Sequence, residues 1–270
     1  MTATVLRVPV EGADLAVEVR GDGAPAILFI HGFPLDRTLW RHQIAALARW
    51  KRIAPDLRGA GASSVPPPPN GYSMSRYADD LVQVLDALDI RQAVVCGLSM
   101  GGYILFELLR RHSGRVRAAI FCNTKAGADS PEAKRDRDAM AALAQAKGAA
   151  AVAEELLPKL LAHATFAAQP QVVAEVREIV ARAPVAGIVG ALRALRDRPD
   201  STPMLGSIRV PVLVVAGDDD QIAPAAGMQE MARAIPGAQF ALIPKAGHLA
   251  PLEQPITASG ALADFVAGLR

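Results

Sequence analysis

Ala93-Val94-Val95-Cys96-Gly97-Leu98-Ser99-Met100-Gly101-Gly102-Tyr103 decides the fold. A short β-branched run stops at Gly97 and an apolar pattern of helical spacing starts after Ser99, so the stretch predicts strand, tight turn, helix. A G-x-S-x-G sequence at such a junction puts its serine in a strained turn, with the hydroxyl above the sheet edge and a backbone N–H beside it. A side chain at Gly97 or Gly101 would collide with the reversed backbone. The helix starting near Met100 aims unpaired N–H groups and its positive end at the same spot, which favours an oxyanion there. Ser99 therefore reads as a nucleophile. Because glycine-rich chains produce this pentapeptide by chance, the reading depends on an acid and a histidine following in that order at strand ends.

Upstream, Thr4 to Val10 and Leu15 to Arg20 alternate apolar and polar around Glu11-Gly12, which predicts an antiparallel hairpin at a sheet edge. Ala26 to Ile30 is a continuous apolar run, as expected of a strand buried on both faces of a parallel sheet. It ends at His31-Gly32-Phe33-Pro34, where the N–H of Phe33 is positioned as a second oxyanion-hole donor. His31 reads as a loop-bonding residue and not as the catalytic base. Helices are expected over Leu39 to Trp50 and Ser75 to Leu88, with a strand at Arg52 to Pro55. The glycines and arginine of Asp56-Leu57-Arg58-Gly59-Ala60-Gly61-Ala62-Ser63 fit no phosphate-binding motif, so that run reads as a salt-bridged structural loop. Pro66 to Gly71 reads as a rigid exposed turn.

Downstream, the helix Met100 to Arg111 and the buried strand Arg117 to Cys122 continue the alternation expected of a parallel sheet covered on both faces. The pattern then changes. From Asn123 to about Pro203 there are only alanine-rich helical segments, at Pro131 to Lys147, Ala149 to His163, Pro170 to Arg182 and Val185 to Asp197. Helices inserted between two strands beside the active-site loops form a natural lid, so residues 123–203 are expected to be a helical cap between core parts 1–122 and 204–270. Strands resume at Val210 to Gly217 and Gln239 to Ile243, with helices at Met228 to Ile235 and Ala258 to Leu269. Asp218, Asp219 and Asp220 follow the first of these strands and offer the acid. Their spacing does not match a calcium loop, so no metal is expected. His248, in the glycine-flanked loop after the last strand, completes an ordered Ser, Asp, His set.

The 270 residues suit one large domain or a core with an insertion; 51% are hydrophobic and 21% charged, a globular composition. A net charge of +2 with no basic stripe argues against nucleic-acid binding. No signal peptide or apolar span is visible, so no membrane association and a cytoplasmic location are expected. Cys96 and Cys122 read as buried free thiols.

In His31-Gly32-Phe33-Pro34, Asp56 to Ser63, Gly97 to Gly102, Gly217-Asp218-Asp219-Asp220 and Gly247-His248 the chain resembles the alpha/beta-hydrolase superfamily, over essentially its whole length. Within it the chain looks like capped bacterial esterases and lactonases, including enol-lactonases and N-acyl-homoserine lactonases. The resemblance implies an α/β fold with a mostly parallel sheet of about eight strands, helices on both faces and an inserted cap. It also implies that the acid is the third residue after the strand-ending glycine, Asp220, with Asp219 next in line. The expected activity is cofactor-free cleavage of a small-molecule ester or lactone by Ser99, His248 and Asp220, with the N–H groups of Phe33 and Met100 holding the oxyanion. The same triad also serves carbon–carbon bond hydrolysis and perhydrolysis in this superfamily, and a non-catalytic ligand sensor is a third class.

Overall fold

The computed structural model describes residues 4–68 and 71–269. The centre of the expected proline turn (Pro69, Asn70) and the first three residues of the start searched for a signal peptide lie outside them. The elements are β1 (Thr4–Val10), β2 (Ala13–Arg20), β3 (Ala26–Ile30), α1 (Arg41–Ala46), β4 (Lys51–Pro55), α2 (Met74–Ala87), β5 (Ala93–Leu98), α3 (Met100–Arg111) and β6 (Val116–Cys122). They continue with α4 (Pro131–Leu160), α5 (His163–Ala168), α6 (Pro170–Ala181), α7 (Val185–Arg196), β7 (Val212–Gly217), α8 (Ala225–Ala234), β8 (Gln239–Ile243), α9 (Ala250–Glu253) and α10 (Pro255–Ala267).

The strands form one eight-stranded sheet in the order β1-β2-β4-β3-β5-β6-β7-β8. Only β2 runs against its neighbours, as the edge-hairpin reading predicts; β4, β3, β5, β6, β7 and β8 are mutually parallel. Side chains of the buried strands alternate between two cores. Leu28, Ile30 and Val95 face α2, α3 and α8, while Ile27, Phe29, Val94 and Cys96 face α1, α10 and the helices after β6.

The helices between β6 and β7 follow the C-terminal end of β6, and the chain rejoins the sheet at the N-terminal end of β7, which runs parallel to β6. Ser130 caps α4 by accepting the Ala133 N–H at 3.2 Å, with Pro131 in the first turn. Gly148, at φ 79°, breaks α4 between the two segments that the sequence separates.

Several helices depart from expectation, two of them for reasons visible in the structure. Instead of one helix over 39–50, a 3-10 turn over Arg37–Trp40 precedes a short α1 that stops at Ala46. Leu47 leaves helical geometry (ψ 37°) and the Trp50 N–H bonds back to its carbonyl at 3.1 Å, which turns the chain into β4 while both side chains stay buried. The last helix starts at Pro255, three residues before the expected Ala258, because a proline fits the first helical turn. No helix among the described residues is long and apolar enough to cross a membrane.

Candidate active site

Parallel pairing of β5, β6, β7 and β8 brings the loops carrying Ser99, Asn123, Asp220 and His248 to one edge of the sheet. Ser99 sits between β5 and α3 at φ 53° and ψ −113°, a positive-φ conformation that costs a non-glycine residue of order 1–3 kcal/mol. Backbone hydrogen bonds hold it there. Its N–H donates to the Cys122 carbonyl (2.9 Å), and its own carbonyl accepts from the Gly102 N–H and the Thr124 hydroxyl (2.8 Å each). A Cβ on Gly97 would lie 2.3 Å from the Gly101 carbonyl oxygen, and one on Gly101 would lie 2.3 Å from that of Ile30. Both glycines are therefore required by close backbone approach.

Asp220 and His248 meet directly. Asp220 is buried, and its two carboxylate oxygens lie 3.0 and 2.9 Å from His248 Nδ1. A carboxylate can only accept, so Nδ1 carries a proton, and in the neutral ring the lone pair is on Nε2. The Ile222 and Ala223 N–H groups donate to Asp220 Oδ1 at 2.8 and 2.9 Å, and the Asn123 side-chain amide donates to Oδ2 at 2.9 Å. Burial alone would raise the Asp220 carboxyl; the attraction of His248 and these hydrogen bonds outweigh it and hold the group below the usual carboxylate range. His248 is also buried, with 2% of its surface exposed. Among the described residues, no hydrogen bond joins the Ser99 hydroxyl to the imidazole.

The other two aspartates have different partners. Asp219 accepts the His163 N–H at 3.0 Å and Asp218 accepts the Ala246 N–H at 3.1 Å. Neither touches the imidazole. Among the described residues, no group of three or more His, Cys, Asp or Glu is placed to hold a metal ion.

Phe33 and Met100 both line a narrow apolar cavity of about 20 Å³, shared with Leu35, Leu57, Tyr77 and the α7 residue Ile188. Neither backbone N–H has a protein acceptor among the described residues. Gly32 lies close against Ser99, since a Cβ on it would stand 3.3 Å from the serine Cβ. Both N–H groups thus belong to the surroundings of the hydroxyl. His31 is occupied otherwise. Its Nδ1 lies 2.9 Å from the Gly32 carbonyl, and its Nε2 accepts the Leu57 N–H at 3.0 Å. The Asp56–Ser63 loop is fixed by ion pairs, with Asp56 against Arg37 and Arg58 forked onto Asp80 by two bonds of 2.6 Å. Cys96 and Cys122 are buried free thiols with sulfurs 3.8 Å apart beneath the serine turn.

Sequence reasoning missed Asn123, Thr124 and Glu253. Asn123 bridges Asp220 and the Gly247 carbonyl (3.1 Å), and its positive φ of 46° is a conformation asparagine tolerates. The only available signal was a polar pair directly after a buried strand. Glu253 lies behind the His248 loop and had no motif to mark it.

Residues 25–255 match the alpha/beta hydrolase fold family. An esterase from Thermogutta terrifontis superposes with a TM-score of 0.93 at 37% identity, covering 100% of this chain and 99% of that one. A 3-oxoadipate enol-lactonase from Acinetobacter baylyi is 29% identical over 86% of this chain and 84% of its own length. The solved structure of an N-acyl homoserine lactone degrading enzyme matches with a TM-score of 0.81 at 29% identity, covering 96% of this chain and all of that one. Sheet order, the strained serine turn and the whole-length matches agree, and the chain belongs to the alpha/beta-hydrolase family.

Proposed function

We propose that the protein hydrolyses small carboxylic esters and lactones through an acyl-enzyme on Ser99. The observation that carries this reading is the buried Asp220–His248 pair, which engages Nδ1 and so assigns Nε2 the acceptor role at the sheet edge where Ser99 is held in a strained turn. Ser99 Oγ attacks the carbonyl carbon while Nε2 takes its proton, and the N–H groups of Phe33 and Met100 hold the oxyanion, each such donor contributing about 3 kcal/mol. Collapse of the tetrahedral intermediate expels the alkoxide, which receives the proton from the imidazolium. Water, deprotonated by the same nitrogen, then cleaves the acyl-enzyme. In a lactone the leaving alkoxide stays tethered, so the same steps open the ring. Asp220 fixes the imidazole tautomer and stabilises its cation.

The helices of residues 123–203 act as the cap over this site. They supply Ala183, Gly187, Ile188 and Ala191 to the cavity beside the oxyanion donors. That cavity is small because α7 lies against the Asp56–Ser63 loop: a Cβ on Gly187 would stand 1.8 Å from the Gly59 carbonyl oxygen. About 20 Å³ admits a group of roughly water or methyl size, so short acyl chains are the substrates it suits. Similarity to the enol-lactonase and to the N-acyl homoserine lactone degrading enzyme supports including lactones.

The test is a panel of p-nitrophenyl acetate, p-nitrophenyl octanoate, γ-butyrolactone and an N-acyl homoserine lactone, run beside Ser99→Ala. Acetate turnover should exceed octanoate turnover, and Ser99→Ala should lower kcat at least about ten-thousand-fold. A serine-directed phosphonate should label the wild type alone. Normal turnover by Ser99→Ala would remove the triad reading, and inertness toward every lactone would restrict the activity to open-chain esters.

A further inference from the structure

We propose that Glu253 is a positioning residue for His248, tying the imidazole loop to the start of α5 so that the base is correctly placed only while the helical insertion is docked. The proposal rests on His248 being the catalytic base.

The Glu253 carboxylate is buried, with 1% of the residue's surface exposed, and it accepts four hydrogen bonds. Oε1 takes the N–H groups of Gly247 (2.9 Å) and Leu249 (3.2 Å), the two residues that flank His248. Oε2 takes the Ala162 N–H (2.7 Å) and the Thr165 hydroxyl (2.6 Å), both in the insertion. These bonds use a carboxylate's acceptor sites in full. One side chain therefore joins two segments far apart in sequence, and one of them carries the base.

No cation lies within ion-pair distance of Glu253 among the described residues. Burial pushes its carboxyl up, and the four donors pull it back only in part. A carboxylate kept in such a place is costly, and a merely space-filling role would be met by a neutral side chain. What an uncharged residue cannot supply is four acceptor sites facing donors from two directions.

The contact is also stiff. A Cβ on Gly247 would lie 2.4 Å from the Ala162 nitrogen, so the loop and the insertion touch backbone to backbone. The Leu249 N–H reaches the Leu160 carbonyl as well (3.2 Å), and the Gln169 amide donates to the Glu253 carbonyl (3.1 Å). On its other side the loop is held by Asn123, which bonds both the Gly247 carbonyl and Asp220. A shift of Ala162 is therefore passed to Gly247 and to the ring beside it. Displacements of about 1 Å at a reacting group cost on the order of a hundredfold in rate.

The experiment measures kcat and KM of the full chain on p-nitrophenyl acetate, with active sites counted by phosphonate titration, for wild type, Glu253→Gln and Thr165→Val. Circular dichroism establishes that each variant is folded. Glutamine keeps the shape but replaces one acceptor oxygen with a donor. We expect Glu253→Gln to lower kcat per titrated site about 10- to 100-fold with KM within about twofold. Thr165→Val removes only one insertion-side bond and should lower kcat about 2- to 10-fold. A folded Glu253→Gln with wild-type kcat per titrated site overturns the proposal, even if fewer sites titrate or its melting point falls. Should Glu253→Gln fail to fold, Thr165→Val decides: an unchanged kcat overturns the proposal and the stated fall supports it. Ser99→Ala in the same assay separates this outcome from failure of the triad itself: normal turnover there removes the triad, whereas its large loss beside wild-type kcat in Glu253→Gln overturns the positioning role alone.

Discussion

The turn between β5 and α3 and the insertion between β6 and β7 stand at the same sheet edge but are held in place by different means. Backbone fixes the first. Gly97, Gly101 and Gly102 let α3, β3 and Thr124 approach within distances that a Cβ would block, and main-chain bonds lock Ser99. Side chains fix most of the second. Arg182 reaches Asp36 at 2.7 Å and Arg41 reaches Glu175 at 2.5 Å, alongside the four bonds to Glu253, and within the insertion Arg198 near its end reaches Asp129 near its start at 2.7 Å. The serine turn sits in a frame of main chain that does not yield, while the insertion is attached by contacts that can be exchanged one at a time.

The largest effect that would test this contrast comes from Gly97→Ala. Its new Cβ meets main chain that cannot swing away, so we expect a loss of at least about 3 kcal/mol, seen as a lowered urea midpoint or as insoluble protein. A soluble, equally stable Gly97→Ala enzyme would break the contrast at its rigid end.

At the other end, Asp129→Asn should cost about 3 kcal/mol near neutral pH, because it leaves the buried Arg198 without its counter-charge. Burial would raise the Asp129 carboxyl, but Arg137 and Arg198 outweigh it and hold the group below the ordinary carboxylate value. A depressed folded-state value means that this stabilisation is present above the unfolded-state pKa and fades as pH falls through the folded one. The gap between wild type and Asp129→Asn should therefore be widest near neutral pH and narrow progressively as pH falls below the ordinary carboxylate range, as measured by urea unfolding. A gap that stays constant with pH would mean that the pair does not hold the two ends of the insertion together electrostatically.

The smallest effect has the opposite sign. Ser99→Gly relieves the positive φ at residue 99 and should raise stability by about 1 kcal/mol while abolishing turnover. Unchanged or lower stability would show that the turn stores no strain.

The same contrast explains what the sequence made legible. Backbone requirements leave strong marks: Gly97, Ser99 and Gly101 announce the turn, and continuous apolar runs announce β3, β5, β6 and β7. The order Ser99, Asp220, His248 follows from which strand each residue ends. Nothing in the composition distinguished Asp219 from Asp220, since both are loop carboxylates; the fold sends one to His163 and the other to His248. Long-range side-chain ties left no periodic trace. Glu253 lies in a short helix behind the base, and its donors at Ala162 and Thr165 are brought to it only by the tertiary fold. The early end of α1 was equally hidden, because the pull of Leu47 and Trp50 into the core overrides helical spacing that continues on paper.

The seam at Leu160–Thr165 sets a rule for remodelling this enzyme. Helices α4, α6 and α7 can be exchanged for those of another family member to change which acyl groups fit, but the six residues at the seam must travel with the host. A graft that replaced them would detach the base loop from its anchor, and a change meant for specificity would be measured as a loss of turnover.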